Sequence, residues 1–493
     1  MSTVVATAPL TTRPLRFGAA ISLAVTAGLL LLTSRATPVE WFPLIVLAAA
    51  AVIAITVHRP AVGCALLVVG AALTAGLGRN TVVPALRTSE ALTLLVAAGT
   101  VLREIGRRQR YSLFDVVVLI YALGAVLVPS GYMWVTGTSA SVDAWRTILG
   151  PLQFLLIYFV FSRARLDGVE VAEILRLAMF TSVLIAVVAM AQVADVPGVR
   201  SFIETFYSGN GEAANICNSG PCRATSLLEH YSGLGAFAVL HYTLALVLCA
   251  YAPGAFSGRW LTLVMALNAV AAFISGTQAA MLGLGLATIV CVLHARRLPR
   301  QLVLMIAPLA LGLLFFWNQI QLRIEQQFAG PGGVLQAGTP ESLDVRARYW
   351  TEIFVPLLKE HLWFGTGSVI PAEVPERLVN FVDNQYLGLG FRAGLVGELL
   401  LALMLIGVVV AGWRYRRSDE SLNRAVGGAV AAFAVVLAVI GTTAEYLTFA
   451  GVAQAFWMLV GIMGGWKITS QAEPANLIVL GSSEPKKRHR RLA

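Results

Sequence analysis

Long blocks of apolar residues recur along the whole of this chain, and many of them reach the roughly 17 residues that a helix needs to cross a bilayer. Because the lipid interior offers no hydrogen-bonding partners, the backbone of such a block must bond within itself, as it does in a helix. Hydrophobic residues make up 57% of the 493-residue sequence and charged residues 13%, whereas soluble domains carry about 25% charged residues. The sequence therefore predicts an all-α polytopic membrane protein.

The positions of these blocks predict about 12–14 transmembrane helices. The predicted spans cover 17–33, 41–57, 61–78, 88–102, 113–129, 146–162, 171–192, 228–251, 260–275, 278–294, 302–318, 386–412, 425–441 and 448–466. The first block has no convincing small-residue cleavage site, which favours a retained span over a cleaved signal peptide.

Short basic segments alternate along the chain with longer loops that are poor in lysine and arginine. The basic segments are 103–110, 162–165, 294–300, 413–424 and the C-terminal tail. The positive-inside rule places segments of this kind in the cytoplasm. We therefore expect both termini in the cytoplasm and two long loops, 193–227 and 319–385, on the outer face of the membrane.

The predicted organisation follows from this orientation. It comprises a cytoplasmic N-terminus (1–16), transmembrane helices over 17–318 with the outer loop 193–227, a large outer loop over 319–385 with an amphipathic helix, C-terminal transmembrane helices over 386–466, and a basic cytoplasmic tail over 467–493. The formal net charge of +10 lies mainly in short loops and at the two ends, so nucleic acid is not an expected partner. The basic tail is typical of an orientation signal or of a contact with anionic lipid.

Two of the five cysteines, Cys217 and Cys222, lie in the first outer loop, where an oxidising compartment allows a disulfide. Their spacing suits two free thiols equally, and the sequence leaves both alternatives open. The pair lacks the histidine ligands of a zinc site, and the outer loops lack acids at metal-ligand spacing. No P-loop or dinucleotide-binding fingerprint occurs. We therefore expect neither a metal nor another cofactor.

The second outer loop contains the helical pattern TPESLDVRARYWTEIF, which begins with a capping Thr339 followed by Pro340. Arg346 and Trp350 are four residues apart in it and share one helix face. One interpretation is a site for an anionic ligand, with Arg346 and Arg348 on a phosphate and Trp350 on a sugar or lipid. The other is an interfacial helix with snorkelling arginines and belt aromatics.

Three further polar stretches fall on the same predicted face, each at the start of a span. They are RATSLLEHYSGLGAFA with Arg223, Glu229 and His230, SGTQAAMLGLGL with Gln278, and DNQYLGLGFRAGLVG with Asp383, Asn384 and Arg392. Asp383 can act as a base at the membrane mouth, or it can cap the helix that follows. Asn384 can orient a sugar or act as a cap in the same way.

These segments, in this order, resemble the motifs of the O-antigen ligase and polymerase superfamily of bacterial envelope glycosyltransferases. The resemblance covers about 220–412 and includes RARYW followed by HLWFGTG. The chain departs from the pattern at Gln278, where many relatives have arginine, at Leu362, where proline is common, and at Arg392, where an acidic residue is frequent. Asp383 stands where ligases usually carry the histidine proposed as their base, which favours the polymerase branch.

The resemblance implies a fold like that of the C-type membrane glycosyltransferases, in a bacterial inner membrane. It implies transfer of a glycan from a polyprenyl-diphosphate carrier to a sugar hydroxyl of a glycan or glycolipid acceptor on the outer face. The expected roles are Asp383 as the base, Arg346, Arg348 and Arg223 on the diphosphate, Asn384, Trp350, Arg392 and Gln278 on the substrates, and Glu229, His230 and Glu445 as reserve bases. A transporter or flippase of lipid-linked or small polar substrates is the alternative, since it also needs outward arginines.

Overall fold

The computed structural model describes residues 42–78, 86–107, 111–137, 142–207, 217, 222–296, 299–328, 341–367 and 382–470. In these ranges the chain is helical and contains no strand. Seven of the helices are long and apolar enough to cross a membrane, or eight if one pair bent by 69° counts as a single span. This confirms the predicted all-α polytopic membrane fold.

The described residues form eighteen α-helices, numbered here in chain order. The first nine are α1 (Phe42–His58), α2 (Pro60–Leu73), α3 (Thr88–Glu104), α4 (Leu113–Thr136), α5 (Val142–Arg163), α6 (Gly168–Val193), α7 (Val199–Tyr207), α8 (Tyr231–Tyr251) and α9 (Gly258–Ile274). The others are α10 (Gln278–Ala295), α11 (Arg300–Leu304), α12 (Ile306–Phe315), α13 (Trp317–Phe328), α14 (Glu341–Tyr349), α15 (Val355–Glu360), α16 (Gln385–Arg414), α17 (Ser421–Ile440) and α18 (Val452–Ser470).

The predicted spans correspond to helices wherever the structure describes them, but several of these helices are shorter than a full span. The predicted span 17–33 lies outside the described residues. The spans predicted at 41–57 and 61–78 are α1 and α2, of 17 and 14 residues. The span predicted at 302–318 ends in the 69° bend, because the chain turns between Phe315 and Trp317. The count of 12–14 spans therefore stays a prediction.

Helix α8 forms the centre of the bundle, where it contacts α9, α10, α17 and α18. Nearly all of its residues are buried, as expected for a helix that is apolar on every side. Its buried polar side chains satisfy themselves locally: the imidazole Nδ1 of His241 lies 2.9 Å from the Phe237 carbonyl oxygen, and the Thr243 hydroxyl donates to the Val239 carbonyl at 2.6 Å. These two polar side chains of the central helix therefore have hydrogen-bonding partners although they are buried.

Helix α16 is broken at Gly394, whose φ of 59° and ψ of −159° are not helical. The loop residues of HLWFGTG supply hydrogen bonds that the break removes from the helix. The Leu395 N–H donates to the Leu362 carbonyl at 2.9 Å, and the Thr366 N–H donates to the Phe391 carbonyl at 2.6 Å. This matters because unsatisfied backbone groups are costly at membrane depth.

Two glycines allow the loop and the broken helix to approach each other this closely. A Cβ at Gly394 would lie 2.4 Å from the backbone of Trp363, and a Cβ at Gly365 would lie 2.4 Å from the Phe391 carbonyl oxygen. Both glycines also have positive φ, 59° and 69°, which L side chains rarely adopt. The sequence pattern of glycines in DNQYLGLGFRAGLVG thus includes one that breaks the helix.

We expect Gly394→Ala to destabilise the protein by about 2–4 kcal/mol, because left-handed strain and the clash with the backbone of Trp363 add together. The midpoint of thermal unfolding in detergent measures this. Gly285→Ala is the matched control, since Gly285 lies in the helical part of α10 with nothing within 4 Å of a Cβ. Equal unfolding midpoints for the two variants would contradict the assigned role of Gly394.

Candidate active site

Side chains from several segments meet at one end of the bundle, where α8, α10 and α16 begin; we call this the site end. The contributing segments are 222–231, the turn 275–278, helices α13 and α14, residues 382–392 and the turn 441–451. The basic segments between α10 and α11 and after α16 lie at the opposite ends of their helices. The structure thus brings together the four polar stretches that the sequence singled out.

Arg346 and Asp383 form an ion pair at the site end. The guanidinium donates from Nε and Nη2 to Oδ2 of the carboxylate, at 3.1 and 3.0 Å. The side chains are 26% and 30% exposed, so a ligand can reach both. Among the described residues, neither Nη1 of Arg346 nor Oδ1 of Asp383 has a hydrogen-bonding partner. The pair therefore keeps one free edge on each side chain.

The helix cap at the start of α16 is Asn384. Its Oδ1 accepts the backbone N–H groups of Tyr386 and Leu387, at 3.0 and 3.3 Å. The alternative in which Asp383 caps this helix is therefore wrong, because the cap lies one residue further on. Asp383 instead has a positive φ of 45°, an uncommon conformation for a residue other than glycine. Asn384 is buried, so its predicted contact with a sugar would have to use the amide nitrogen.

Trp350 holds the segment before Asp383 in place. Its indole Nε1 donates to the Val382 carbonyl at 3.1 Å, and its ring packs with the buried Phe354 and Phe391. Trp350 begins a π-helical turn that precedes the short helix α15. The predicted amphipathic helix is thus present as α14, the π turn and α15. The indole N–H of Trp350 already donates to a backbone carbonyl. Any contact of this side chain with substrate would therefore have to involve the face of the ring.

Arg223 lies in a largely buried position beside Tyr231. Its guanidinium carbon is 3.1 Å from the centre of the Tyr231 ring, and its Nη2 donates to the Gly276 carbonyl at 3.5 Å. Burial lowers the pKa of Arg223 to about 10, and the nearby cations Arg323 and Arg346 also lower it, while Tyr231 opposes them. Arg223 is therefore still charged at neutral pH. Among the described residues its Nε has no hydrogen-bonding partner.

Residues 261–402, which include the Arg346–Asp383 pair, match the family model described as O-antigen ligase. This match supports the resemblance of the chain to the O-antigen ligase and polymerase superfamily. The matched family implies an enzyme that transfers glycans, with lipid-linked glycan substrates at the membrane. No curated protein matches the chain.

The three predicted reserve bases all have partners in the protein. Glu229 accepts two hydrogen bonds from Arg87, at 2.6 and 2.7 Å. Glu445 forms an ion pair with Arg392, so Arg392 has a counter-charge at the start of the broken helix. These pairs make both carboxylates structural before any substrate arrives.

The imidazole of His230 caps helix α8 through Nδ1, which accepts the backbone N–H of Ser232 at 3.1 Å. The pKa of His230 is lowered to about 3, mostly by burial and in part by repulsion from Arg223 and Arg346. The ring is therefore neutral at physiological pH. It also stacks on Phe449. As a base, His230 would first have to give up the cap.

The two other predicted contacts lie at the edge of this arrangement. Arg348 is exposed on α14, two residues beyond the paired Arg346. Gln278 is the first residue of α10 and is half-buried. The hydrogen bonds of the pair join Arg346 and Asp383 alone, and the roles of Arg348 and Gln278 stay predictions.

Sequence reasoning missed two residues of the site end. Arg323 on α13 donates from Nε to the Gly276 carbonyl at 3.4 Å. Tyr446, in the turn between α17 and α18, is buried, and burial raises its pKa to about 12. The charges of Arg346 and Asp383 act on this hydroxyl, so it belongs to the same electrostatic environment. A single arginine after an apolar block and a single tyrosine in a turn carry no motif that could have identified them.

Cys217 and Cys222 form a disulfide, which is one of the two alternatives that the sequence left open. The Cys222 N–H donates to the Gln319 side-chain oxygen on α13 at 3.3 Å. The bridge thus lies directly before Arg223 and is tied to the helix that carries Arg323. Within the described ranges no group of three or more histidine, cysteine, aspartate and glutamate side chains could hold a metal, and the expected metal independence stays a prediction.

Proposed function

We propose that this protein transfers a glycan from a polyprenyl-diphosphate carrier to a sugar hydroxyl, on the outer face of a bacterial inner membrane. The observation that supports this most directly is the accessible Arg346–Asp383 pair beside the buried Arg223. It combines a candidate base with cations for a departing diphosphate at one membrane-proximal site. The aspartate at position 383 favours a polymerase over a ligase.

In the proposed reaction the acceptor hydroxyl oxygen attacks the anomeric carbon of the donor sugar. A bond forms between these atoms, and the bond from the anomeric carbon to the diphosphate oxygen breaks. The diphosphate leaves with the electron pair, and the hydroxyl proton passes to Asp383. Because the diphosphate gains negative charge as it leaves, fixed cations at its oxygens lower the barrier. The products are the lengthened glycan and the free polyprenyl diphosphate.

In the ion pair each side chain uses some of its polar atoms and leaves others for substrate. Arg346 uses Nε and Nη2 to hold Oδ2 of Asp383, and its Nη1–Nη2 edge remains for phosphate oxygens. Asp383 keeps Oδ1 for the acceptor hydroxyl, which must lie within about 2.6–3.2 Å for proton transfer. One guanidinium would thus orient the base and meet the donor, which places the two substrates next to each other.

The orientation in this proposal can be tested by cysteine labelling. We expect Ala347→Cys to react with a membrane-impermeant maleimide in intact spheroplasts, and Asp419→Cys to react only after lysis. Both positions are exposed and lie at opposite ends of the bundle. The background carries Cys217→Ser and Cys222→Ser, since the other three cysteines are buried. The reverse labelling pattern would place the site end in the cytoplasm and contradict the proposal.

The activity itself is tested with purified protein in detergent and a polyprenyl-diphosphate-linked oligosaccharide. We expect release of polyprenyl diphosphate together with longer lipid-linked glycans, and release that is about 10²–10³-fold less efficient with Arg346→Ala. Transfer of the glycan to a second lipid-linked glycan indicates a polymerase. Transfer only to an added glycolipid acceptor indicates a ligase. Movement of the intact donor across proteoliposomes without release of polyprenyl diphosphate would contradict the proposal and identify a flippase.

A further inference from the structure

The side chain of Gln192, near the end of α6, holds the backbone that follows Arg223. Its Oε1 accepts the N–H of Thr225 at 3.0 Å and the N–H of Ser226 at 2.9 Å. Its Nε2 donates to the Thr225 hydroxyl at 3.3 Å. All three residues are buried. One side-chain amide thus satisfies two successive backbone donors that have no access to water, which is where a lost hydrogen bond costs most.

The backbone that Gln192 holds has an uncommon conformation. Ser226 has a positive φ of 54°, in the left-handed region that residues other than glycine rarely adopt. Such a conformation persists only where the surrounding contacts determine it, and it is frequent at functional sites. At Ser226 these contacts are the hydrogen bond from its N–H to Gln192 and the one from its hydroxyl to the Ile185 carbonyl, at 2.7 Å. Both partners lie on α6, so this helix keeps the segment in its conformation.

The backbone of this segment sets the place of the Arg223 guanidinium. The Ala224 N–H, directly after Arg223, donates to the Ile274 carbonyl at the end of α9, at 3.2 Å. The hydrogen bond from the Arg223 side chain to the Gly276 carbonyl is long, at 3.5 Å, and a bond of this length is a weak constraint. The direction in which Arg223 points therefore depends on how α6 and α9 hold residues 224–226.

We propose that Gln192 is a positioning residue, which acts through Arg223 in binding the diphosphate of the lipid carrier. This inference rests on the proposed function, in which Arg223 is one of the donor-binding cations. Gln192 is buried and does not reach the donor itself. Its amide holds residues 225 and 226, and these direct the guanidinium that lies two or three residues earlier. A displacement of about 1 Å at such a contact is enough to lose most of its effect.

The first test measures donor binding separately from transfer. Gln192→Met removes the hydrogen bonds and keeps nearly the same length and volume of side chain. We expect it to weaken binding of a short-chain polyprenyl diphosphate, and to raise the KM for the glycan donor, by about 10-fold, the cost of a few tenths to one and a half lost hydrogen bonds at a charged group. The turnover number should change much less.

A conservative variant and a matched control accompany this measurement. Gln192→Glu should restore most of the affinity, because a protonated glutamic acid offers one oxygen to both N–H groups and an O–H to the Thr225 hydroxyl. The control is Asn268→Leu, which removes another buried amide between α9 and α6, one that donates to the Ser182 hydroxyl at 3.1 Å. It makes no contact with residues 222–226 and should bind the probe as the parent does.

A double-variant cycle shows whether Gln192 acts through Arg223. We expect Arg223→Gln alone to weaken probe binding by about 10–100-fold. Gln192→Met added to Arg223→Gln should then cost less than about twofold more, since the contact that Gln192 positions is already absent. A general loss of structure would weaken binding by the same factor in both backgrounds. Thermal unfolding midpoints identify misfolded variants. If Gln192→Met fails to fold, Gln192→Asn, whose shorter side chain cannot reach both N–H groups, replaces it in the cycle.

The outcomes separate this inference from the proposed function. Unchanged probe affinity in folded Gln192→Met, or equal losses in the two Arg223 backgrounds, would overturn the role of Gln192, whether or not the parent transfers glycan. If the parent transfers glycan without binding the short probe, the KM for the donor decides in the same way. A parent whose probe binding depends on Gln192 but that releases no polyprenyl diphosphate would overturn the proposed function and leave the positioning role intact. A parent that neither binds the probe nor transfers glycan would overturn both.

Discussion

Replacement of Asp383 by asparagine is expected to lower the turnover number by about 10²–10⁴-fold, the usual contribution of one acid–base group. Asparagine has nearly the same shape as aspartate but cannot accept the hydroxyl proton. Donor affinity should change little, since the proposed acceptor of the proton is Oδ1 and the diphosphate contacts are cationic. The measurements are kcat for glycan extension and binding of a polyprenyl diphosphate to the same preparation.

The structure defines the competing explanation for such a loss. Asp383 also holds Arg346 through two hydrogen bonds, so its loss could act only by releasing that arginine. In that case Asp383→Asn would mainly raise the KM for donor. Loss of a base would instead lower kcat and leave donor binding nearly unchanged. Near-parental turnover in the variant would mean that another group accepts the proton.

Arg346→Lys is expected to reduce kcat/KM almost as much as Arg346→Ala does, by about 10²–10³-fold. The proposed role needs one edge of the guanidinium on Asp383 and another on phosphate. An ammonium is a point charge without this planar geometry and cannot serve both at once. Kinetics with a purified lipid-linked donor measure the effect in both variants.

The control for this prediction is Arg259→Lys, which changes the same residue type at an exposed position far from the site end. It should keep parental kinetics. If Arg346→Lys also keeps most of its activity, positive charge alone suffices at this position. The assignment of a forked contact to the donor diphosphate would then be wrong, although an electrostatic role would remain.

The order of the helices could be predicted because each depends only on local composition. A block such as 171–192 has no other stable form in lipid than a helix, and the structure has α6 at Gly168–Val193. The break at Gly394 could not be predicted in this way. A glycine in an apolar run is usually a packing residue, and this one breaks the helix because HLWFGTG, some thirty residues earlier, supplies the missing hydrogen bonds.

In the candidate site, too, the sequence predicted local features and missed those that depend on tertiary contacts. The sequence identified Arg346, Asp383 and Arg223 because each stands beside a recognisable pattern at a predicted membrane boundary. It could not decide which of two adjacent residues caps α16, since the cap depends on backbone dihedrals that place Asn384 and not Asp383 there. It also could not pair charges across the chain, as with Glu445 and Arg392, because their contact depends on tertiary packing.

The ion pair between Arg392 and Glu445 has a consequence for exchanging parts between relatives. Arg392 lies inside the region that matches the family model, 261–402, and Glu445 lies outside it. Both side chains are mostly buried, with 17% and 20% of their surface exposed. A chimera that transplants only the defining region would separate a charge from its partner, a change that costs about 3–5 kcal/mol in a buried pair. A chimera designed to keep this ion pair therefore has to include the turn before α18 together with the matched region.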